Sequence, residues 1–558
     1  MSDAFEKRIK KHIIGKPHRF LAVVPLGFEQ TLINELTFIG VETSDALSRH
    51  SEQRENTTRK DANQFHVTGD GKVEFTAKIT EAWKAVAFSR IANRVLMHIA
   101  DFKAENFREL EKKTSEIPWE LFLLDDNHLR RESRLTELGM TEPNGWELSE
   151  AKVQRRETRD ERYLSSNSIN IHVTCKHSRL YHSDAIAERL YNIIKGVSLP
   201  LASSRRENGP SVLQTKDKRK TTEATTRLDY ATPSAGTPRN APNCEITSHL
   251  KASKVSDLAP QTSNIYVHFL NDRCTIWLDL AGEELYKRGH ERYVNDAPLK
   301  ETIAAAMIVE AISLIGAPHR PQSELSEQPH STLTTNHQPL ATIIDPMAGS
   351  GTFSLEAAYI ANKLIPGKCR DFALKHQPAF KEATWKYITN SELGVRNSEL
   401  KKIITSDISE RAIEIIKHNV ECSPLAGIEP TPIAPLQKDF FAYTAKEIAD
   451  ASKESSPIIV LNPPYGKRLD FDAPKLYTRI GRKLTELAHD LKQFNKALTV
   501  AILAPKDDCR EGSKYTCTSN LLRECAALSP EHNPAAKQIA TSHGGFSLNV
   551  FIAQLNHQ

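Results

Sequence analysis

From residue 298 onward, short apolar runs alternate with amphipathic stretches, and several of the runs stop on a polar side chain. "ATIID" ends on Asp345, "KIITSD" on Asp407 and "PIIVLN" on Asn462, and "ALTVAILAP" and "LNVFIAQL" follow. Between the earlier runs, "TFSLEAAYIANKL", "SERAIEIIKHNV" and "LYTRIGRKLTELAHDL" carry the apolar spacing of helices. Strand–helix alternation of this kind argues for a doubly wound, mostly parallel sheet. The strand ends of such a sheet converge on one crevice, where ligands of open α/β sheets bind.

The residues at those ends have chemistry in common. In "IIDPMAGSGTFSLEAA", Gly349 and Gly351 occupy a strand-to-helix turn, where missing side chains let backbone N–H groups approach a ligand. Thr352 or Ser354 can cap the helix that follows. Asp345 repels a pyrophosphate and suits a cationic or amino-bearing ligand. Asp407 can accept both hydroxyls of a ribose or, equally well, cap the next helix. Asp439 and Phe440, in "LQKDFF", offer an edge and a face to an adenine.

The fourth end is "NPPYG". A central strand cannot continue through Pro463 and Pro464, which have no backbone N–H. One reading is a plain tight turn. The other is a clamp: the Asn462 amide oxygen and the Pro463 carbonyl accept from an exocyclic amine while a base stacks on Tyr465.

Upstream, "RFLAVVPLGFEQTLINELTFIG", "KVEFTA" and the expected helix "KITEAWKAVAFSRIANRVLM" give a strand–helix–strand–helix order, an α+β unit. "FRELEKKTSEIPWELFL" reads as a helix up to Ile117–Pro118–Trp119. "INIHVTCKHSRLYHSDAIAERLYNII" reads as strand, basic turn and helix, with Ser183–Asp184 expected as its cap. "IYVHFLNDRCTIWLDLAGEELYKRG" is a hairpin around an Asn-Asp turn. Polar stretches near 125–165, 201–262 and 320–338 read as insertions.

No apolar run reaches the ~18–20 residues of a membrane span, and the basic start "MSDAFEKRIKKHIIGK" has no secretory h-region, so a cytoplasmic protein is expected. Eight cysteines without a CxxC pair, and no HExxH, give no expectation of a metal site. The net charge of +4 conceals an asymmetry, because residues 151–227 hold 16 Lys/Arg against 8 Asp/Glu. A local basic excess of this kind suits phosphate binding.

The order DPMAGSGT, SDIS, KDFF, NPPYG resembles the class I S-adenosylmethionine-dependent methyltransferases that act on amines. "FLAVVPLGFEQTLINEL", "FSRIANRVLMHIADF", "KHSRLYHSDAIAERL" and "IWLDLAGEELYKRGHERYVNDAPLKETIAAAMI" resemble the THUMP-containing RNA methyltransferases, nearest to the RlmL-like branch that methylates guanine N2 in large-subunit ribosomal RNA. The resemblance implies an N-terminal ferredoxin-like domain (1–94), a THUMP RNA-binding domain (95–282) and a Rossmann-like class I methyltransferase domain (290–558) with a mostly parallel seven-stranded sheet. The second methyltransferase fused in some relatives is expected to be absent.

By the same resemblance, S-adenosyl-L-methionine is held by Asp345, Pro346, Met347, Gly349, Gly351, Thr352, Asp407, Ile408, Asp439, Phe440 and Asn462. Asn462, Pro463, Pro464 and Tyr465 hold the target base. Lys176, Arg179, Lys467 and Arg468 contact RNA. Transfer RNA as substrate, adenine N6 or a protein glutamine amide as acceptor, and a non-enzymatic RNA-binding protein are the competing readings.

Overall fold

The computed structural model describes residues 3–43, 65–123, 168–196, 262–294, 298–315, 340–390, 400–465, 472–508 and 516–555. The chain divides into two units, Met1–Lys195 with Pro260–Gln558, and Gly196–Ala259. Apart from Gly196, every described residue belongs to the first. The expected insertions at 125–165 and 320–338, residues 201–261, and Lys467 and Arg468 lie outside the described residues.

Two seven-stranded sheets carry the fold. The first contains β1 (His18–Val23), β2 (Phe65–Gly69), β3 (Lys72–Ala77), β4 (Arg94–Lys103), β5 (Ser168–Lys176), β6 (Thr262–Leu270) and β7 (Arg273–Asp279), in the order β2-β3-β1-β4-β7-β6-β5. Its pairs are antiparallel except β5 with β6. The β6–β7 hairpin turns on Asn271 and Asp272, both at positive φ, as its Asn-Asp turn requires. Because β4 pairs with both β1 and β7, the sheet is continuous across position 94.

Two local expectations fail here. The helix expected to run through Met97 stops at Phe88. Buried Glu35 is the reason: its carboxylate accepts from Ser89 Oγ (2.6 Å), Arg90 N (2.9 Å) and Ile91 N (3.3 Å), so the chain leaves the helix with its donors satisfied. Arg94–Met97 then pair as a strand. At the helix Ser183–Ile194, His182 is the N-cap and no side chain caps it. Ser183 sits one residue too late, and its hydroxyl lies against Asp184 Oδ1 instead.

The second sheet contains β8 (Ala341–Asp345), β9 (Leu400–Asp407), β10 (Leu436–Gln437), β11 (Ser456–Leu461), β12 (Thr499–Pro505), β13 (Lys537–His543) and β14 (Phe546–Gln554). Its order is β10-β9-β8-β11-β12-β14-β13. The first five strands are mutually parallel, and β14 and β13 are antiparallel additions. The sequence reading lacked β13, whose outward residues are polar and whose burial is slight.

The helix Glu301–Ile315 is buried from Thr302 to Ile312, which explains its apolar character on all sides. It shares one hydrophobic core with Leu32 and Leu36 of the helix Glu29–Phe38, Ala82 and Val86 of Ile79–Phe88, and Ile343, Ile458 and Val550 of the second sheet. The two sheets therefore share a core.

Candidate active site

In the second sheet β9 lies on one side of β8 and β11 on the other, so the winding direction reverses between β8 and β11. A crevice must open beyond their C-terminal ends. A cavity of about 520 Å³ lies there, within the size of small-molecule sites. Its lining includes Pro346, Met347, Gly349, Thr352, Asp407, Ile408, Asp439, Phe440, Asn462, Pro463, Pro464 and Tyr465. The four strand ends do converge.

Two expected residues do not line it. Asp345 is fully buried, and its Oδ2 accepts from Ser354 N (3.2 Å) and Oγ (2.7 Å), pinning the next helix to the strand end. Its Oδ1 has no partner. Burial pushes this carboxyl up to about 7 despite the two Ser354 bonds, and the Asp407 charge adds to the rise. Gly351 is the N-cap of the helix Thr352–Ala361 at φ +79, and a Cβ there would meet Ile416 side-chain carbons at 3.1 and 3.3 Å. Its missing side chain makes room for a packed helix. At Gly349 (φ +56) a Cβ would meet nothing within 4 Å, so this is the glycine that keeps the cavity open.

No side chain caps that helix. Thr352 Oγ1 accepts from Arg292 Nη2, and Ser354 is occupied by Asp345. Arg292 also pairs with Glu301, and buried Arg288 grips buried Glu356 with two bonds, of 2.9 and 3.1 Å. The segment "KRGHER" thus braces the helix behind the glycine turn.

Asp407 is not a helix cap either; Ser409 takes that role, accepting from Ala412 N. Asp407 Oδ2 accepts from Gly349 N and Oδ1 from Ser409 N, both at 2.9 Å. Each oxygen keeps a lone pair, so the carboxylate can still take two hydroxyls. Ile408, 67% exposed, stands beside it. Asp439 Oδ1 accepts from Phe441 N (3.0 Å) and Phe440 is buried in the core under the cavity.

Beyond β11, Pro463 is buried and Pro464 exposed. Asn462 Oδ1 is buried with no hydrogen-bond partner. A buried acceptor without a donor costs about 1–3 kcal/mol, which a ligand N–H removes. The Tyr465 ring meets Phe546 of β14 edge-on, with centroids 5.7 Å apart, so one flank of the clamp rests on the antiparallel part of the sheet.

The sequence reading missed Pro298, Leu299, Ala348, Ser350, Phe353, Phe441, Leu476 and Arg479 of the lining. Leu476 and Arg479, three apart, share a face of the helix Ala473–Leu491, and Arg479 lies 4.0 Å over the Phe441 ring. Helical periodicity indicates a shared face and not what it faces. Lys176, at the exposed end of β5, and Arg179, in the turn that follows it, lie apart from this lining. Arg179 is committed to Glu105 and Asp272.

Residues 332–504 match the family described as RMKL-like, methyltransferase domain. That stretch is similar to an RMKL-like methyltransferase domain. The ribosomal RNA large subunit methyltransferase K/L of Allochromatium vinosum is 24% identical over 427 residues, which is 75% of this chain and 42% of that protein. The chain thus spans less than half the length of that relative. Among solved structures, SMU.472, complexed with SAH, is 18% identical with a TM-score of 0.55, covering 97% of this chain and 99% of that one. A Listeria monocytogenes structure described as a predicted N6-adenine-specific DNA methylase is 19% identical with a TM-score of 0.56, covering 97% and 96%. At these identities the structures show the fold, which is Rossmann-like. Among the described residues no helix is long and apolar enough to cross a membrane.

Proposed function

We propose that this protein transfers a methyl group from S-adenosyl-L-methionine to the exocyclic N2 of a guanine in large-subunit ribosomal RNA. The observation that carries the reading is the buried, unpartnered Asn462 Oδ1, set at the switch point of the sheet beside two acidic strand ends. The residues fit the cofactor. Gly349 leaves space for close backbone approach, Asp407 receives the ribose hydroxyls, and Asp439 with Phe440 receives the adenine edge and face. When bound, the cofactor supplies an electrophilic sulfonium methyl.

The protein's part is positioning. A guanine amine is a weak nucleophile because its lone pair is delocalised into the ring. Asn462 Oδ1 and the Pro463 carbonyl accept its N–H bonds and turn the lone pair out of conjugation, toward an in-line displacement. An amide is no effective base, so the surplus proton leaves to solvent after transfer. Stacking on Tyr465 contributes ~1–3 kcal/mol, enough to offset unstacking of the flipped base. We assign the first sheet to ferredoxin-like and THUMP RNA-binding domains, with Lys176, Arg179, Lys467 and Arg468 as phosphate contacts, and the protein to the cytoplasm. The choice of guanine N2 over adenine N6 rests on the motif resemblance, because both are planar exocyclic amines.

The test supplies labelled S-adenosylmethionine with ribosomal RNA and transfer RNA from cells lacking the protein, followed by nucleoside analysis. Label in N2-methylguanosine of large-subunit RNA is expected. Label in N6-methyladenosine overturns the base, label confined to transfer RNA overturns the substrate, and no transfer overturns the enzyme.

A further inference from the structure

Outside the cavity, the ligand atoms of Glu291, His418 and Cys422 lie within 4.8 Å of one another. We propose that these three side chains form a site for a zinc-type divalent transition-metal ion. His418 and Cys422 are four residues apart at the end of the helix Glu410–Glu421, hence on one face. Their Nε2 and Sγ atoms are 3.5 Å apart. Bonds of about 2.0–2.1 Å to nitrogen and about 2.3 Å to sulfur set two ligands of a tetrahedral zinc about 3.5 Å apart, so this edge of the site is already formed. The exposed Glu291 carboxylate completes the third corner by rotating about its side-chain bonds.

The two backbones that carry these ligands are fixed to each other. Asn419, fully buried, accepts from Tyr293 N (2.8 Å) and donates to Tyr293 O (2.9 Å) and Ser350 O (3.0 Å). The Tyr293 ring stacks on the His418 ring, with centroids 3.9 Å apart and planes at 13°, which holds the imidazole in place. The helix ends here, and the negative end of its dipole favours a cation. One thiolate, one imidazole and one carboxylate suit zinc and its neighbours; calcium and magnesium prefer all-oxygen sets. The missing CxxC and HExxH patterns could not reveal the site, because its third ligand comes from a distant loop.

None of the three ligands lines the cofactor cavity, so the ion clips two supports of that cavity together without joining the chemistry. One support is the loop carrying Arg292, and the other is the helix that follows Asp407. Binding breaks the Cys422 S–H bond, the sulfur lone pair passes to the metal, and one proton per ion goes to solvent. The inference stands independently of the proposed reaction.

The experiment uses the full chain, freed of metal by a chelator and titrated with Co²⁺ by absorption and with Zn²⁺ by calorimetry. The expected result is one tight equivalent with a thiolate-to-cobalt charge-transfer band, proton release, and a raised melting temperature. Cys422→Ser should lose the band, and His418→Gln and Glu291→Gln should bind at least about 10-fold more weakly while melting, without metal, like the parent. A parent without the band, or Cys422→Ser with unchanged stoichiometry and affinity, overturns the site.

Discussion

Asn462 and Asp345 each hold a buried carbonyl-type oxygen without a partner, yet the two ask for different measurements. Asn462 lines the cavity, so its acceptor is available to a ligand. Asn462→Ala should lower the single-turnover methylation rate by about 10²–10³, the effect of losing one oriented polar group, while cofactor affinity holds. Rates equal to the parent's would remove Asn462 from the clamp. Asp345 is sealed from the cavity, and its carboxyl is raised to about 7. A raised carboxyl contributes stability that is present below the unfolded value of about 3.9 and is lost as pH climbs through about 7. Asp345→Asn cannot titrate. Its stability relative to the parent should therefore rise between pH 5 and pH 8, by on the order of 3 kcal/mol, the part of the shift that falls in that window. Parallel melting profiles for the two proteins would contradict this.

At the scale of the element, the glycine turn separates what the sequence reveals from what it hides. "DPMAGSGT" was legible as a strand-to-helix turn, because two glycines after an apolar run leave few other local structures. The duty of each glycine was not legible. Gly349 faces open space and Gly351 faces Ile416, a residue of another helix. Gly351→Ala should cost about 1–3 kcal/mol through overpacking and a strained φ, and leave cofactor affinity in the folded protein within a few-fold. Gly349→Ala should act on the cavity, weakening cofactor binding, while its stability cost comes from the strained φ alone, with no neighbour overpacked. Calorimetry beside thermal melting separates the two outcomes, and a loss of binding confined to the Gly351 variant would reverse the assignment. The same limit explains the helix that stops at Phe88. Propensity favoured continuing it, but Glu35, on another element, supplies the acceptors that end it. Strand ends, turns and alternation are local in sequence; caps, braces and linings depend on partners that only the tertiary fold brings close.

Across the whole molecule, the shared core has a practical effect. Glu310 on the buried helix accepts from Thr31 Oγ1 and from Lys537 Nζ, each at 2.6 Å, so one carboxylate ties the helix Glu29–Phe38 to β13. Residues 290–558 alone would expose Phe28's and Leu32's side of that core, and tests of RNA binding belong on the full chain. Lys176 is exposed, whereas Arg179 already pairs with two carboxylates. Lys176→Ala should therefore reduce the salt dependence of RNA affinity by about one phosphate, and Arg179→Ala by less. Equal slopes for Lys176→Ala and the parent would move the RNA contact elsewhere.

A core common to both sheets also makes the molecule a ruler. β4 is stitched to neighbours on both sides and packs Val95 and Met97 into the core shared by the two sheets and Ile99 and Phe102 against the separate core under β5, β6 and β7, so paired strands and packed interiors occupy the span from the edge of the first sheet toward the Asn462 clamp. On the proposed reading, an RNA docked on that sheet presents for modification the nucleotide that falls at this reach. Selection of the target then needs little reading of sequence, because distance does the choosing.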